Sequence, residues 1–281
     1  MPLLQFEDLG GYHALDSQVC QATGLRHADS FRAARPFPHV VLDDFVDASV
    51  RAGLRAAFDT LDEAVPIDRA TQRGKRTWSP RASRDPLVRS VFAELAGPAF
   101  LEFMQALTGA PDLVPDPWLL GAGLHELSPG GHLGIHADFN LHSRLRMRRR
   151  YNLMLYLNED WRPEDGGALQ LWSRDMRRLE RVVEPVDGRA VVFATGPRDW
   201  HGHPDPIGAR PRRSLSLYYY DVPEQWMAHW PRRAARFAKR PGSRDPAGPV
   251  LRMGEFVTDL VPPLLYRGLR GAWRRVQAAR R

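Results

Sequence analysis

His136 and Asp138 stand two residues apart in the segment Gly134-Ile135-His136-Ala137-Asp138-Phe139. In a β-strand, residues i and i+2 project from one face, so an imidazole and a carboxylate at this spacing can reach a single ion. A third donor follows much later, in Trp200-His201-Gly202-His203. Two histidines and a carboxylate form a facial set that holds Fe(II) and leaves coordination positions open. His203 lies two residues beyond His201, on the same strand face, and competes with it as third donor. Further on, the chain reads Arg212-Arg213-Ser214-Leu215-Ser216-Leu217-Tyr218. A strand starting at Arg212 places Arg212, Ser214, Ser216 and Tyr218 on one face. A guanidinium with a hydroxyl two residues on can clamp a carboxylate through a charge-assisted pair and one more hydrogen bond. Alternation turns one of Arg212 and Arg213 inward and the other outward.

Such residues need strands to position them. From about residue 115 the sequence breaks into short apolar runs: WLLGAGLHEL, HLGIHADF, YNLMLYLN, ALQLWS, LERVVEP, RAVVFAT and RRSLSLYYYDV. Turn residues separate them at Pro129-Gly130-Gly131, Asp165-Gly166-Gly167, Asp187-Gly188 and Pro204-Asp205-Pro206. Many short strands with regular Gly/Pro punctuation predict a β-sandwich or jelly-roll barrel. The preceding stretch is different. Val40-Val41-Leu42 reads as a short strand, and Val50, Leu54 and Phe58 follow at helical spacing behind Asp47 or Ser49 as cap. A charged loop carries Arg69, Arg73, Lys75 and Arg76, and two helices broken at Gly97-Pro98 come next. The chain divides into helical support elements (1–114), a barrel (115–222) and a basic extension (223–281).

Five motifs in order carry a resemblance. They are His136-Ala137-Asp138; Tyr156-Leu157-Asn158 with Trp161; residues 166–172, GG-x-L-x-L-W; residues 185–193, P-x-x-G-R-x-V-x-F; and Trp200-His201 followed by Arg212-Arg213-Ser214. Together, over about residues 120–222, this set resembles the Fe(II)/2-oxoglutarate dioxygenases of the prolyl-4-hydroxylase-like group. The resemblance implies an α+β, mainly β fold, a double-stranded β-helix (jelly-roll, cupin-like) with buttressing helices. It implies His136, Asp138 and His201 as iron ligands, and Arg212 with Ser214 as the clamp for the far carboxylate of 2-oxoglutarate. Tyr156 is expected on the same carboxylate, and strand alternation points Asn152 and Met154 the same way. Fe(II), 2-oxoglutarate and O2 are the implied reactants, with ascorbate as reductant. One departure stands out. Many relatives place a further cosubstrate-binding tyrosine nine or ten residues before the first histidine, where this chain reads His125-Glu126-Leu127. That contact is either absent or made by His125.

The implied activity is hydroxylation of an unactivated C–H of a small molecule or a prolyl residue, with release of succinate and CO2. Asn140 and His203 are candidates for the substrate side, beside His125. Two rival readings are an alkylated nucleic-acid demethylase and a non-catalytic ligand-binding barrel. The first carries an R-x-N-x-T-x-R strand that residues 212–218 do not match, and the second predicts a broken triad. Ordinary structural roles are expected elsewhere: Trp172 and Tyr218-Tyr219-Tyr220 in packing, His142 on a surface loop, and Arg144, Arg146, Arg148, Arg149 and Arg150 as a solvated run.

Composition narrows the setting. The chain has 281 residues, 40 Lys+Arg against 33 Asp+Glu, and a net charge of +7 carried almost wholly by arginine. Lys75 and Lys239 are its lysines, and Cys20 its single cysteine. One cysteine excludes an intrachain disulfide and a multi-thiolate zinc site. The start of the sequence has neither the basic nor the apolar stretch of a secretory leader, and no run suits a membrane span. A cytoplasmic protein is expected, with an anionic small molecule or peptide as partner and no nucleic acid. At the end of the chain, Leu265, Leu269, Ala272 and Val276 alternate with arginines, an amphipathic pattern that either packs on the barrel or touches a membrane surface.

Overall fold

The computed structural model describes residues 1–60, 65–81, 83–222 and 233–245. The amphipathic C-terminal segment lies outside these residues. In chain order the elements are β1 (Phe6–Asp8), β2 (His13–Leu15), α1 (Ser17–Ala33), β3 (His39–Leu42), α2 (Ala48–Ala57), β4 (Val65–Arg69), β5 (Gln72–Trp78), α3 (Pro86–Leu95) and α4 (Pro98–Thr108). They continue with β6 (Val114–Pro115), β7 (Gly123–Ala137), β8 (Arg148–Tyr156), β9 (Leu169–Trp172), β10 (Leu179–Val183), β11 (Ala190–Ala194), β12 (His201–His203), β13 (Arg212–Asp221) and β14 (Arg236–Phe237).

Local chemistry sets the helix boundaries. The Asp16 side chain accepts from Val19 N and caps α1, and Asp85 accepts from Leu87 N and Val88 N ahead of Pro86 to start α3. Gly97-Pro98 separates α3 from α4 as expected, and Gly109 closes α4 in the left-handed region (φ 71°).

The main sheet runs in the order β10-β9-β12-β7-β13-β8-β11-β3, all antiparallel, with β5 on the other side of β7. β7 joins two layers. Its first half pairs with β13 and β5, and its second half pairs with β12 and β14. The predicted turn at Pro129-Gly130-Gly131 does not end a strand. It lies inside β7, where Gly130 takes φ 75° and the chain bends from one sheet into the other. The result is a mostly antiparallel, nearly closed barrel of the double-stranded β-helix type.

Two-residue alternation divides the barrel wall. Leu153, Leu155, Leu215 and Leu217 face outward and pack with Phe31, Phe100, Phe103 and Leu107 of the helices. All four leucines are buried, and each contributes about 1.5–3 kcal/mol by leaving water. This fixes the register, because a one-residue slip would drive these leucines into the cavity and the polar residues between them into the helices. The even-numbered partners, Asn152, Met154 and Tyr156 on β8 and Arg212, Ser214, Ser216 and Tyr218 on β13, point inward.

The N-terminal third does more than buttress. β3 pairs with β11, and the expected charged loop at 69–76 is a β4–β5 hairpin whose second strand pairs with β7 along most of its length. Local sequence reads as a loop there because the charged residues hide the pairing, which depends on a partner strand some fifty residues away in sequence (|i−j| 50 between Arg76 and Glu126).

Candidate active site

A cavity of about 220 Å³ opens inside the barrel, and the inward residues of β5, β7, β8, β12 and β13 line it. His136 and His201 sit directly opposite each other on β7 and β12. Asp138 follows immediately after β7. One donor atom from each of His136, Asp138 and His201 lies within 4.8 Å of the others, and all three residues are buried. His136 Nε2 is 3.6 Å from Asp138 Oδ1, and His201 Nε2 is 3.5 Å from Asp138 Oδ2.

Backbone carbonyls aim these rings. His136 Nδ1 donates to Gly134 O at 3.0 Å, and His201 Nδ1 donates to Asp199 O at 3.0 Å. A carbonyl only accepts, so each Nδ1 is a donor, and the bond turns each Nε2 toward the shared point. Burial, then the neighbouring His136, lowers His201 to about 4, so it is neutral and able to ligate near neutral pH. Burial alone would raise the Asp138 carboxyl. Arg149, His201 and His136 outweigh it and hold the group well below the usual carboxylate range. A neutral His201 and an ionised Asp138, with the His136 ring beside them, are the donor types a divalent iron takes. His203 faces the same cavity but stands outside the trio. Its Nδ1 has no hydrogen-bond partner, and burial beside Arg212 and Lys75 keeps it well below its ordinary value.

Two further side chains hold the Asp138 carboxylate. Asn152 Nδ2 donates to Asp138 Oδ2 at 2.8 Å, and an Arg149 terminal nitrogen lies 3.2 Å from the same oxygen. Arg149 Nε donates to Asn152 Oδ1, and its guanidinium stacks 3.5 Å from the Tyr218 ring centre. The solvated-run expectation therefore fails for Arg149, which is buried. It also fails in part for Arg148 and Arg150, which lie in β8 and both pair with Asp221. The cause is a β-bulge. Tyr219 pairs with Tyr151 but Tyr220 with Arg149, so Arg150 is the extra residue and parity flips, turning Arg149 inward.

The other end of the cavity is cationic. Arg212 is 1% exposed, and its Nε donates to Gly167 O at 2.8 Å. Gly167 sits at φ 66°, and a Cβ there would lie 2.9 Å from Arg212 Cδ, so the second glycine of the GG motif makes room for the guanidinium. One terminal nitrogen of Arg212 and the Tyr156 hydroxyl are buried with no hydrogen-bond partner. Ser214 lies between His125 and Tyr156 in register. Arg213 points out, to Glu126 and Asp59. Orphaned donors at this end fit an incoming carboxylate, as the lone pairs at the other end fit a metal. Met154 lines the wall, and His125 does too, with Nε2 unpartnered.

Two expectations resolve differently. Asn140 does not line the cavity; its Oδ1 accepts from Arg233 N. His142 is not a surface histidine. It is 1% exposed, its Nε2 donates to Asp116 at 3.0 Å, and its Nδ1 accepts from Arg144 N and Leu145 N. Its partner is distant in sequence, which hides the role. Lys75, which the sequence pattern places in a charged loop, lines the cavity from β5. The alternation Lys75-Arg76-Thr77-Trp78 carries a signal for it once β5 is known to be a strand.

Barrel and trio together have the layout of the 2-oxoglutarate-dependent non-haem iron oxygenases, on a prolyl-4-hydroxylase-like fold. Residues 122–220 match the 2OG-Fe(II) oxygenase superfamily. A comparison with curated proteins gives no match. Among solved structures, the chain is similar to a Pseudomonas putida prolyl-4-hydroxylase, with 23% identity, a TM-score of 0.51, and coverage of 72% of this chain and 100% of that one. It is also similar to a Trichoplax adhaerens prolyl hydroxylase complexed with a hypoxia inducible factor peptide fragment (15% identity, TM-score 0.54, coverage 73% and 91%). A third is the non-heme alpha ketoglutarate dependent epimerase SnoN from nogalamycin biosynthesis (15% identity, TM-score 0.51, coverage 81% and 93%). At these identities the likeness is one of fold. Among the described residues, no helix is long and apolar enough to cross a membrane.

Proposed function

We propose that this chain hydroxylates an unactivated C–H of a small molecule or a prolyl residue, consuming 2-oxoglutarate and O2 and releasing succinate and CO2. The supporting observation is that the His136-Asp138-His201 trio and the Arg212 clamp line one cavity. His136, Asp138 and His201 would hold Fe(II). O2 would be the oxidant and 2-oxoglutarate the co-reductant at the held iron, one oxygen atom going to succinate and the other to the substrate. The protein's part is placement. Carbonyl-held rings keep both Nε2 lone pairs on the metal point without later rearrangement. Asn152 and Arg149 fix the Asp138 carboxylate. Arg212, Ser214 and Tyr156 would orient the cosubstrate by its far carboxylate. Phe193, Leu127, Leu133 and Leu169 give apolar walls that exclude water from the reacting carbon. Ascorbate as reductant, an anionic substrate and a cytoplasmic setting belong to the same proposal.

A succinate-release screen over free amino acids, prolyl peptides, and glycosyl and nucleotide compounds tests it. Substrate-stimulated succinate formation with a hydroxylated product is expected. Failure of Fe(II) and 2-oxoglutarate to bind together would reject the reading.

A further inference from the structure

Lys75 stands at an unusual place in the sheet. Leu127 of β7 has Lys75 of β5 as its register partner on one side and Arg212 of β13 on the other. Three residues therefore stand abreast, with the two cations two strand spacings apart, about 10 Å between backbones. Both reach into the same cavity, and Leu127 between them offers no hydrogen bond. Lys75 has no carboxylate at ion-pair distance among the described residues. The acid lining the cavity, Asp138, is already engaged by Arg149. Arg212 keeps a terminal nitrogen unpartnered, and so do His125 Nε2 and His203 Nδ1 at this end.

A half-buried ammonium and a buried guanidinium side by side without a counter-ion repel each other. Burial and then Arg212 lower the Lys75 ammonium to about 8, with Asp138 working the other way. Register places Lys75 and Arg212 beside Leu127, nine residues along β7 from His136, at the end of the cavity away from the metal-binding trio. An anion between the two cations removes the repulsion and fills the open donors at once.

We propose that Lys75, carried in by the N-terminal β4–β5 hairpin, is a second anchor for the far carboxylate of 2-oxoglutarate, sharing it with Arg212. The assignment rests on the proposed function, because it needs that dianion in the cavity. It gives the hairpin a direct part in cosubstrate binding, from outside the barrel motifs. It also supplies a hydrogen-bond donor beside Leu127, which has none.

The test titrates two ligands into the full chain loaded with Mn(II) as a redox-inert stand-in. One is 2-oxoglutarate. The other is 2-oxovalerate, which has the same carbon chain and chelating end but no far carboxylate. In Lys75→Met, 2-oxoglutarate affinity should fall about tenfold or more while 2-oxovalerate changes by less than about twofold. Lys75→Arg, which keeps the charge, should stay within about threefold of the parent. Loss of both ligands in equal measure, or unchanged 2-oxoglutarate affinity, overturns the assignment. So does tight 2-oxoglutarate binding that needs Arg212 but not Lys75. If the parent protein binds no 2-oxoglutarate at all, the functional reading itself fails and takes this one with it.

A pH arm keeps the test open should Lys75→Met fail to fold. The groups facing Lys75 are Arg212 on β13, His125 on β7, Arg149 on β8, His203 on β12 and Asp138 just past β7. Of these, Lys75 is the group that loses charge between about pH 7 and about pH 9. Parent affinity for 2-oxoglutarate should weaken over that range and 2-oxovalerate affinity should not. Lys75→Arg should flatten the difference. A slope that survives in Lys75→Arg counts against the assignment.

Discussion

The two ends of the cavity are built on opposite plans. At the metal end every donor residue is already held. His136 and His201 each give one nitrogen to a carbonyl, and Asp138 receives Asn152 and Arg149. At the cationic end, polar atoms are buried without partners: an Arg212 terminal nitrogen, the Tyr156 hydroxyl, His125 Nε2 and His203 Nδ1. A satisfied cluster is rigid before its ligand arrives, and an unsatisfied one is destabilised until it does. The metal end is thus pre-organised, while the cationic end gains stability on binding. The resident ligand would be kept in the first case and exchanged every turnover in the second.

The sharpest break in this contrast is at the metal end. Asp138→Ala or His136→Ala should abolish succinate release while the circular dichroism spectrum is preserved. His201→Ala should abolish metal binding in equilibrium dialysis, whereas His203→Ala should keep it, because only His201 has a carbonyl-fixed ring pointing into the trio. Metal retention by His201→Ala would assign the third ligand elsewhere.

At the cationic end the effect moves from turnover to cosubstrate demand. Arg212→Met should raise the 2-oxoglutarate KM about a hundredfold, the scale of a lost charge-assisted bidentate pair. Arg213→Met should leave it within about twofold, since that guanidinium points to Glu126 and Asp59 rather than the cavity. The reverse order would mean that β13 is displaced by one residue from the register described.

Arg149→Met probes why the metal end is satisfied without its ion. The substitution leaves Asp138 buried beside Asn152 but without its cation, and breaking a buried pair from one side costs about 3–5 kcal/mol. Urea unfolding of the metal-free protein should show that loss. With Mn(II) added, the divalent ion takes over the neutralising role and the loss should shrink. An equal loss in both conditions would show that Arg149 acts through packing on Tyr218 alone.

How far the sequence discloses all this depends on how local each signal is. Period-two alternation and Gly/Pro turns are local, so the barrel, the trio and the inward face of β13 are readable from residues 120–222. Alternation also makes Arg212 rather than Arg213 the inward residue once β13 starts at Arg212. Three features are not local. Lys75 needs the pairing of β5 with β7 before its direction means anything. Arg149 is turned inward by a bulge opposite Tyr219 and Tyr220, and simple alternation from Asn152 would have chosen Arg150. His142 depends on Asp116, 26 residues away. In each case the deciding partner lies on another strand or loop, which a one-dimensional pattern does not contain.

The smallest effect separates the barrel's other histidines from its metal ligands. Burial, assisted by Lys75, holds His125 well below its ordinary value, with the Gly121 carbonyl working the other way. Burial also lowers His39, opposed by the carbonyl of Phe37. Both are neutral in the folded protein at a pH where the unfolded chain, with a histidine pKa of about 6.5, binds protons. Their contribution to stability is therefore complete above about pH 6.5 and is lost as pH falls toward the folded values. Each such group adds a slope approaching 1.4 kcal/mol per pH unit, roughly, in that window. Asp138, whose carboxyl is held low, adds the same sign only below about pH 4, where carboxylates titrate. Urea midpoints should thus decline between about pH 7 and about pH 5, and the decline should be shallower in His39→Gln and in His125→Gln. A midpoint that is flat over this range would mean that both histidines take up protons in the folded barrel, and the cationic end would then carry still more unbalanced charge than its arginine and lysine already give it.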